Sequence, residues 1–338
     1  ALSSLTYPYF EHLVWKSFGS DIRARKYDIV HRITPLSPTA NSSIAKKCKK
    51  VGVPFVVGPL NGGVPWPPGF DTERLREKEY LSYIRGVYKA LPGRRSMLGA
   101  TAAIITGSRY TASEFPDKHQ SKCIYLPENA IDPSRFNRVA SQELALPLRG
   151  CFIGRMVPYK GADMLLEAAA PLLRDGKLVL DMIGDGPMLV FLKELAKREG
   201  IQQWVTFHGW LEHTIVQEVA ARSNLFLFPS VREFGGGVVL EAMALGVVPV
   251  ICEYGGPGEL VGDDLGYKIQ MGSREEIISR FRDQLARIIA DPANLPVKAR
   301  AARSHVMNNF TWEAKASQVS QVYNWVLGRQ PEKPRFDW

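Results

Sequence analysis

The chain has 338 residues, enough for about two domains that each bury a core of their own. Hydrophobic residues make up 45% of the sequence and charged residues 23%, which excludes a disordered or fibrous protein. Lys and Arg together number 43 against 34 Asp and Glu, and the resulting net charge of +9 favours an anionic partner.

The four cysteines, Cys48, Cys123, Cys151 and Cys252, lie far apart in the sequence. Their spacing fits neither a structural zinc site nor a disulfide framework, which indicates a reducing compartment. Cys151 and Cys252 lie in apolar runs and are predicted to be buried thiols. No apolar run is long enough for a membrane span, and no signal-peptide pattern opens the chain. We therefore expect a cytoplasmic protein, with association with the inner face of a membrane as an open alternative.

Short apolar runs alternate with amphipathic stretches along the whole chain. The runs cover 27–31, 54–57, 102–106, 122–126, 150–154, 178–184, 205–208, 225–229 and 248–252. Continuously apolar runs of this length are typical of strands buried on both faces, and therefore of parallel sheets. Helical patterns such as 162–173 and 188–198 lie between them. The alternation predicts an α/β protein built from doubly wound parallel sheets.

The polar segment Asp132–Leu148 contains two prolines and precedes a new apolar run, so it marks the domain boundary. We predict a first domain over 1–146, a second over 147–309 and a terminal segment over 310–338. Leu60–Phe70 is rich in Gly and Pro and follows a strand directly, which is where ligands bind in open α/β sheets. A ligand loop and a plain connector fit this composition equally well.

The segment Pro229–Gly246 is the most informative part of the sequence. It follows an apolar run, contains three consecutive glycines at 235–237 and then opens a helix. Glycines let a ligand approach the backbone, and a helix N-terminus attracts phosphate. Glu233 and Glu241 flank this start, where carboxylates suit sugar or ribose hydroxyls. The alternative is an ordinary helix with an acidic first turn.

The segment Phe152–Gly161 joins a strand to a helix and carries two cations, Arg155 and Lys160. Such a pair can neutralise a diphosphate, although loop cations are more often simply solvated. Met182–Met188 resembles a nucleotide turn, but Leu189 stands where the pattern needs its third glycine, so we interpret it as a tight turn. His208 and His31 each end a strand, and a satisfied core histidine is the alternative to a ligand contact at both.

These segments together resemble the retaining glycosyltransferase family four, which has the GT-B fold. The resemblance runs from about residue 25 to about residue 325. It rests on Gly154-Arg155 through Lys160-Gly161, Gly184 through Pro187, Phe207 through Gly209, the glutamates 233 and 241, Glu241 through Gly246, Pro249-Val250, Gly255-Gly256 before Glu259, Tyr27 through His31, and Pro127 through Asp132 with Phe136. The resemblance implies two facing Rossmann-like domains with the donor in the cleft, and a terminal helix, within 310–338, that crosses back to the first domain.

The resemblance also implies roles for individual residues. Arg155 and Lys160 would clamp the donor diphosphate, the backbone of 236–238 would cradle it, Glu233 would bind the transferred sugar and Glu241 the ribose. The catalytic set is Glu233, Arg155 and Lys160. The donor-binding set is Gly154, Glu233, Phe234, Gly235, Gly236, Gly237, Val238, Glu241, Gly184, Gly209 and Asn61. Family members retain the anomeric configuration and need no metal, so we expect no metal site and no cofactor.

The resemblance leaves the substrates open. We expect a nucleotide sugar as donor, with a UDP-sugar, and UDP-glucose in particular, as the first choice. The acceptor would be a saccharide or a lipid-linked saccharide in polysaccharide or glycan biosynthesis. Arg85, Lys89, Arg94 and Arg95 interleave with Tyr83, Tyr88, Leu91 and Met97, which suggests a patch for a membrane-bound acceptor, with a solvated helix face as the alternative. Nucleic acid is not expected as a partner, because no RNA- or DNA-binding motif is present.

The sequence departs from the family in its first half. The usual Gly-rich loop after the first strand is not found before Tyr27, so we expect the first domain to lack its opening elements. Asn61 stands in the loop where many members have a histidine. The alternative function is therefore a GT-B protein that binds a nucleotide sugar but is inactive alone or needs a partner.

Overall fold

The computed structural model of the chain describes residues 2–62, 64–76, 93–140 and 143–336. Two parallel sheets, one of four strands and one of six, form the framework of these residues. The helices are, in chain order, α1 (Leu2–Arg23), α2 (Ile44–Val51), α3 (Asp71–Arg76), α4 (Arg94–Ala100), α5 (Arg109–Ser113), α6 (Asp117–Gln120), α7 (Ala162–Arg174), α8 (Leu189–Arg198), α9 (His213–Ala220), α10 (Gly237–Ala244), α11 (Gly255–Leu260), α12 (Arg274–Ala290), α13 (Leu295–Asn309) and α14 (Trp312–Val326).

The first sheet contains β1 (Val30–Arg32), β2 (Phe55–Leu60), β3 (Ala103–Thr106) and β4 (Cys123–Tyr125), in that spatial order. All three strand pairs are parallel, as the continuous apolar runs predict. Successive side chains point to opposite faces of a strand. Phe55 and Val57 accordingly join one apolar cluster with residues of α1, α2 and α4, whereas Val56 joins a second with Val322 of α14.

The second sheet contains β5 (Leu148–Ile153), β6 (Leu178–Ile183), β7 (Val205–Gly209), β8 (Leu225–Phe228), β9 (Val248–Cys252) and β10 (Tyr267–Ile269). Its spatial order is β10-β9-β8-β5-β6-β7, and all pairs are parallel. The chain therefore moves outward from β5 in one direction and then returns to continue from β8 in the other. In such a sheet, ligands bind beyond the carboxyl ends of the two strands at which the direction reverses.

The chain divides into two compact units, one around each sheet. The first comprises residues 1–64, 81–128 and 316–338, and the second comprises 65–80 and 129–315. The described residues 65–76 and 129–140 thus group with the second sheet, although they precede it in sequence. The sequence-based limits at 146/147 and 309/310 stay predictions.

The proposed membrane patch requires a correction. Arg94 and Met97 are only 3% and 2% exposed, so the prediction that they lie on a surface is wrong. Arg94 Nη1 donates a hydrogen bond to the Pro38 carbonyl oxygen over 2.6 Å, and Met97 belongs to the core of the first unit. Tyr83, Arg85, Tyr88, Lys89 and Leu91 lie outside the described residues. No helix in the described part of the chain is long and apolar enough to span a membrane.

All four cysteines are free and buried, which confirms the prediction for Cys151 and Cys252. Burial raises the pKa of both thiols to about 12, and that of Cys48 and Cys123 to about 11. The reactive thiolate is therefore scarce near neutral pH. We expect a thiol reagent at pH 8 to label none of the four in the native chain and all four in denaturant. Fast labelling of Cys151 or Cys252 in the native chain would contradict the buried positions.

Candidate functional site

Two loops lie side by side at the point where the strand order of the second sheet reverses. The first leaves β5 at Gly154 and the second leaves β8 at Pro229. The Val231 N–H donates to the Tyr159 carbonyl oxygen over 2.9 Å, which ties the two loops together. At Gly161 the backbone has φ +71°, and a Cβ there would overlap the Pro229 carbonyl oxygen. The glycine thus lets both loops share this edge of the sheet.

Lys160 and Glu233, from these two loops, form an ion pair between Nζ and Oε2. Both side chains are largely shielded, with 14% and 21% of their surface exposed. The ammonium also lies 5.0 Å from the centre of the Phe228 ring, a cation–π contact that helps to hold it in place. Arg155 follows Gly154 in the β5 loop and is exposed. The structure therefore brings Lys160 and Glu233 together at the predicted site, with Arg155 on the same loop as Lys160.

The three glycines at 235–237 form the turn into α10. Gly236 has φ +62°, a conformation that glycine adopts without strain. The backbone N–H groups of the first helical turn, those of Gly237 and Val238 among them, have no acceptor within the helix. They form the positive end of its dipole, directly after Glu233 and Phe234 in the chain. The predicted phosphate cradle thus has the geometry of an anion site.

The start of α11 packs against this glycine turn from the other side. The Gly256 N–H donates to the Glu233 carbonyl oxygen over 3.1 Å. A Cβ on Gly255 would overlap that same oxygen, and one on Gly256 would overlap the Phe234 carbonyl oxygen. Gly255 and Gly256 thus fix the backbone that carries Glu233.

Asn129, which is not among the predicted site residues, supports the glycine turn. Its Nδ2 donates to the Gly235 carbonyl oxygen over 2.7 Å. A Cβ on Gly237 would lie 3.5 Å from the Asn129 amide carbon, so the side chain rests on the helix start. Asn is a common turn residue, and nothing in its local sequence indicates a contact 106 residues away.

Glu241 lies one helical turn into α10 and contacts a second unpredicted residue, His213. Nε2 of His213 lies 3.4 Å from Glu241 Oε1. Nδ1 of the same ring lies 3.1 Å from an Arg135 guanidinium nitrogen and 2.9 Å from the Gln217 amide nitrogen. His213 is the first residue of α9, and neither its position nor its neighbours in sequence distinguish it from an exposed helix residue.

Gly184 and Gly209 occupy the neighbouring strand ends, where they shape the β5 loop. The Gly184 N–H donates to the Gly209 carbonyl oxygen over 2.8 Å. Gly184 has φ +130°, and a Cβ there would overlap the Gly154 carbonyl oxygen. This close approach agrees with the interpretation of a tight turn, and it supports the loop that carries Arg155.

Asn61 lies in the first unit, at the carboxyl end of β2, and is 8% exposed. Its Nδ2 donates to Glu128 Oε1 over 2.7 Å, and its Oδ1 accepts from the Gly62 N–H over 2.8 Å. Both ends of the amide are thus engaged within the first unit. A donor contact for Asn61 stays a prediction.

The two histidines at strand ends both have partners. Nε2 of His208 lies 2.8 Å from Asp181 Oδ1, and Arg149 contacts the other oxygen of that carboxylate. His31 bridges the Gly58 carbonyl oxygen and the Tyr323 hydroxyl, each over 2.8 Å. Burial lowers the pKa of His31, which keeps this bridge neutral. These partners fit the alternative of a satisfied core histidine, and a ligand contact for either residue stays a prediction.

Part of the Leu60–Phe70 segment packs within the second unit. Trp66, near its middle, is 9% exposed and meets the Tyr159 ring edge-on, with centroids 6.2 Å apart. Arg232 lies 4.9 Å from the centre of the Trp66 ring. Trp66 therefore packs against Tyr159 and Arg232, the chain neighbours of Lys160 and Glu233. Among the residues that the structure describes, no group of three acidic, His or Cys side chains could hold a metal ion.

A known protein family matches the part of the chain that contains the candidate site. Residues 147–302 match the family model described as "Glycosyl transferases group 1". The matched segment contains all six strands of the second sheet and every predicted site residue except Asn61. Group 1 glycosyltransferases are therefore the family to which this part of the chain is similar.

Individual proteins similar to this chain include glycosyltransferases and a glycogen synthase. A glycogen synthase of Mycobacterium tuberculosis is 28% identical over 201 residues, which cover 59% of this chain and 48% of the relative. A D-inositol 3-phosphate glycosyltransferase of Salinispora arenicola is 31% identical over 57% of the chain and 45% of the relative. An uncharacterized glycosyltransferase of Methanocaldococcus jannaschii is 22% identical over 94% and 82%. The chain spans about half the length of the first two relatives.

Solved glycosyltransferases share the fold along almost the whole chain. A glycosyltransferase from Rickettsia africae superposes with a TM-score of 0.66 at 17% identity, covering 96% of this chain and 83% of that one. HepE from Anabaena, solved in complex with UDP, gives a TM-score of 0.63 at 18% identity, over 92% and 81%. The GT-B fold predicted from the sequence is thus confirmed.

Proposed function

We propose that the chain is a retaining glycosyltransferase that moves a sugar from a nucleotide diphosphate to a saccharide or lipid-linked saccharide acceptor. One observation carries the proposal. An ion-paired Lys160 and Glu233 stand beside the glycine-bounded start of α10, at the strand reversal of the second sheet. This arrangement offers cationic and backbone donors for a diphosphate next to a carboxylate for sugar hydroxyls. The group 1 glycosyltransferase match over the same residues agrees with it.

The cations stabilise the leaving group in this proposal. Bond breaking at the anomeric carbon leaves negative charge on the diphosphate, and donors already aimed at that position lower the barrier. The Lys160 ammonium has three N–H donors, of which the pair with Glu233 uses one. Arg155 adds a planar fork, and the first turn of α10 adds backbone N–H groups. These groups take the place that a metal ion has in other transferases, so the reaction needs neither a metal nor a cofactor.

Glu233 binds the transferred sugar in this proposal. Its carboxylate is held by Lys160 and by the packing of α11 on its backbone, and it accepts hydrogen bonds from sugar hydroxyls. The acceptor oxygen bonds to the anomeric carbon on the face from which the diphosphate departs. An oxygen of the departing phosphate takes the acceptor proton, so charge and protons balance without a protein base. HepE was solved with UDP, which makes UDP-glucose the first donor to test here.

Replacing Glu233 should affect the transfer reaction and leave nucleotide binding intact. We expect Glu233→Gln to slow UDP release from UDP-glucose about 100-fold, because the contact to the sugar weakens. UDP affinity should not fall, since the substitution removes a negative charge beside the phosphates and frees Lys160. The matched control is Glu194→Gln on the exposed side of α8.

Turnover and binding assays on the wild type and on Glu233→Gln decide between the proposals. Unchanged UDP release in Glu233→Gln would exclude the assigned role. Tight UDP binding by a wild-type chain that shows no turnover would instead support the alternative, a nucleotide-sugar-binding protein that needs a partner.

A further inference from the structure

Three side chains contact one another in series, and the last is Glu241, to which the family resemblance assigns the ribose of the donor. Arg135, from the segment that precedes the second sheet, contacts Nδ1 of His213, and Nε2 of His213 faces Glu241. The Phe136 ring meets the imidazole edge-on, with centroids 5.8 Å apart and planes at 88°. Contacts on both nitrogens and on the ring thus hold the imidazole in one orientation.

The partners also determine where the imidazole carries its proton. A guanidinium only donates hydrogen bonds, so Nδ1 must accept from Arg135 at 3.1 Å. The Gln217 amide nitrogen, 2.9 Å from the same atom, is a second donor. A neutral imidazole with Nδ1 as acceptor carries its hydrogen on Nε2. His213 therefore presents an N–H to Glu241 Oε1.

The contact with His213 restricts the conformations of the Glu241 side chain. Its side chain is about one third exposed, and a free glutamate there would sample several rotamers. A carboxylate has about four acceptor positions. One hydrogen bond from His213 at Oε1 fixes the carboxylate and leaves acceptor positions on both oxygens for a ligand. Two neighbouring hydroxyls, as in a ribose, match what remains.

We propose that His213 is a positioning residue that holds Glu241 to receive the ribose hydroxyls of the donor nucleotide. This proposal rests on the proposed function. Glu241 binds the ribose diol, and His213 strengthens that preference without contacting the donor itself. It predicts that His213 affects recognition of the hydroxyls and leaves recognition of the phosphates unchanged.

Calorimetric titration of the full chain tests this proposal. Each variant is titrated with UDP and with 2′,3′-dideoxy-UDP, and the ratio of the two affinities is the readout. We expect His213→Ala to reduce the preference for UDP about fivefold, the equivalent of one ordinary hydrogen bond. Glu241→Ala should abolish the preference, and adding His213→Ala to it should have no further effect. His213→Gln, whose amide can still donate to Glu241, should restore most of it.

Controls separate this inference from the proposed function. His12→Ala, at an exposed position of α1, should leave both affinities unchanged. Lys160→Met should weaken both ligands by the same factor and leave their ratio as in the wild type. A wild-type ratio in His213→Ala would overturn the inference while the phosphate site stands. A wild-type chain that binds neither ligand would overturn both.

Discussion

Replacing Lys160 with Met should weaken UDP binding about 30-fold. The substitution keeps an unbranched side chain of similar size, but removes the charge that we assign to the diphosphate, together with its cation–π contact with the Phe228 ring. Hydrogen bonds to charged groups contribute about 2 kcal/mol each, which corresponds to this factor. It also leaves the shielded Glu233 carboxylate without its cation, and that carboxylate then repels the phosphates. Both effects lower the affinity for UDP.

Two further variants make the Lys160 experiment specific. Lys193→Met replaces an exposed lysine of α8 in the same unit and should leave UDP affinity unchanged. The double substitution Lys160→Met with Glu233→Gln should recover part of the lost affinity, because no unpaired carboxylate remains. Equal UDP affinities in the wild type and in Lys160→Met would show that the ion pair does not belong to the donor site.

Substituting Gly255 with Ala should destabilise the second unit by about 3 kcal/mol and displace the backbone of Glu233. Gly255 has φ +61°, and an added Cβ would overlap the Glu233 carbonyl oxygen, which is backbone and cannot turn away. Strained backbone and overpacking each contribute on the order of 1–3 kcal/mol. Denaturant unfolding measures the stability, and UDP titration measures the effect on the site.

Gly200 provides the matched control for Gly255. It has nearly the same φ, +66°, but a Cβ there meets nothing within 4 Å. Gly200→Ala should therefore cost only the backbone term, about 1 kcal/mol, and leave UDP binding unchanged. If the two variants were equally stable, the close packing of α11 on the Glu233 loop would not contribute to the fold.

Local patterns were sufficient to predict the fold class. Five of the six strands of the second sheet are short apolar runs, and such runs indicate parallel strands whatever their spatial order. The sixth, β10, has the sequence Tyr-Lys-Ile and was not predicted. The order itself, with β5 beside β8, depends on pairings between distant segments that no local pattern specifies. That order is nevertheless what places Lys160 beside Glu233, 73 residues apart in the chain. Reasoning on the sequence assigned Lys160 to a diphosphate and Glu233 to sugar hydroxyls, and the resemblance implied the same roles. Neither predicted that the two side chains form an ion pair.

Residues that support the site were harder to predict than those proposed to bind the donor. Asn129 and His213 act through hydrogen bonds to residues distant in the sequence, which leave no periodic or compositional signal. At Arg94, by contrast, a prediction was made and was wrong. A charged residue among aromatic ones suggested a surface, yet its guanidinium is buried and donates to a backbone carbonyl. In each case a tertiary contact determined the environment of the side chain.

The central claim is that a nucleotide diphosphate binds at the strand reversal of the second sheet without a metal ion. Calorimetric titration of the wild-type chain with UDP, GDP and ADP, in the presence of EDTA, tests it most directly. We expect one nucleotide to bind clearly tighter than the other two, and Lys160→Met to remove most of its affinity. Absence of binding by all three, or binding that appears only when a divalent metal is added, would contradict it.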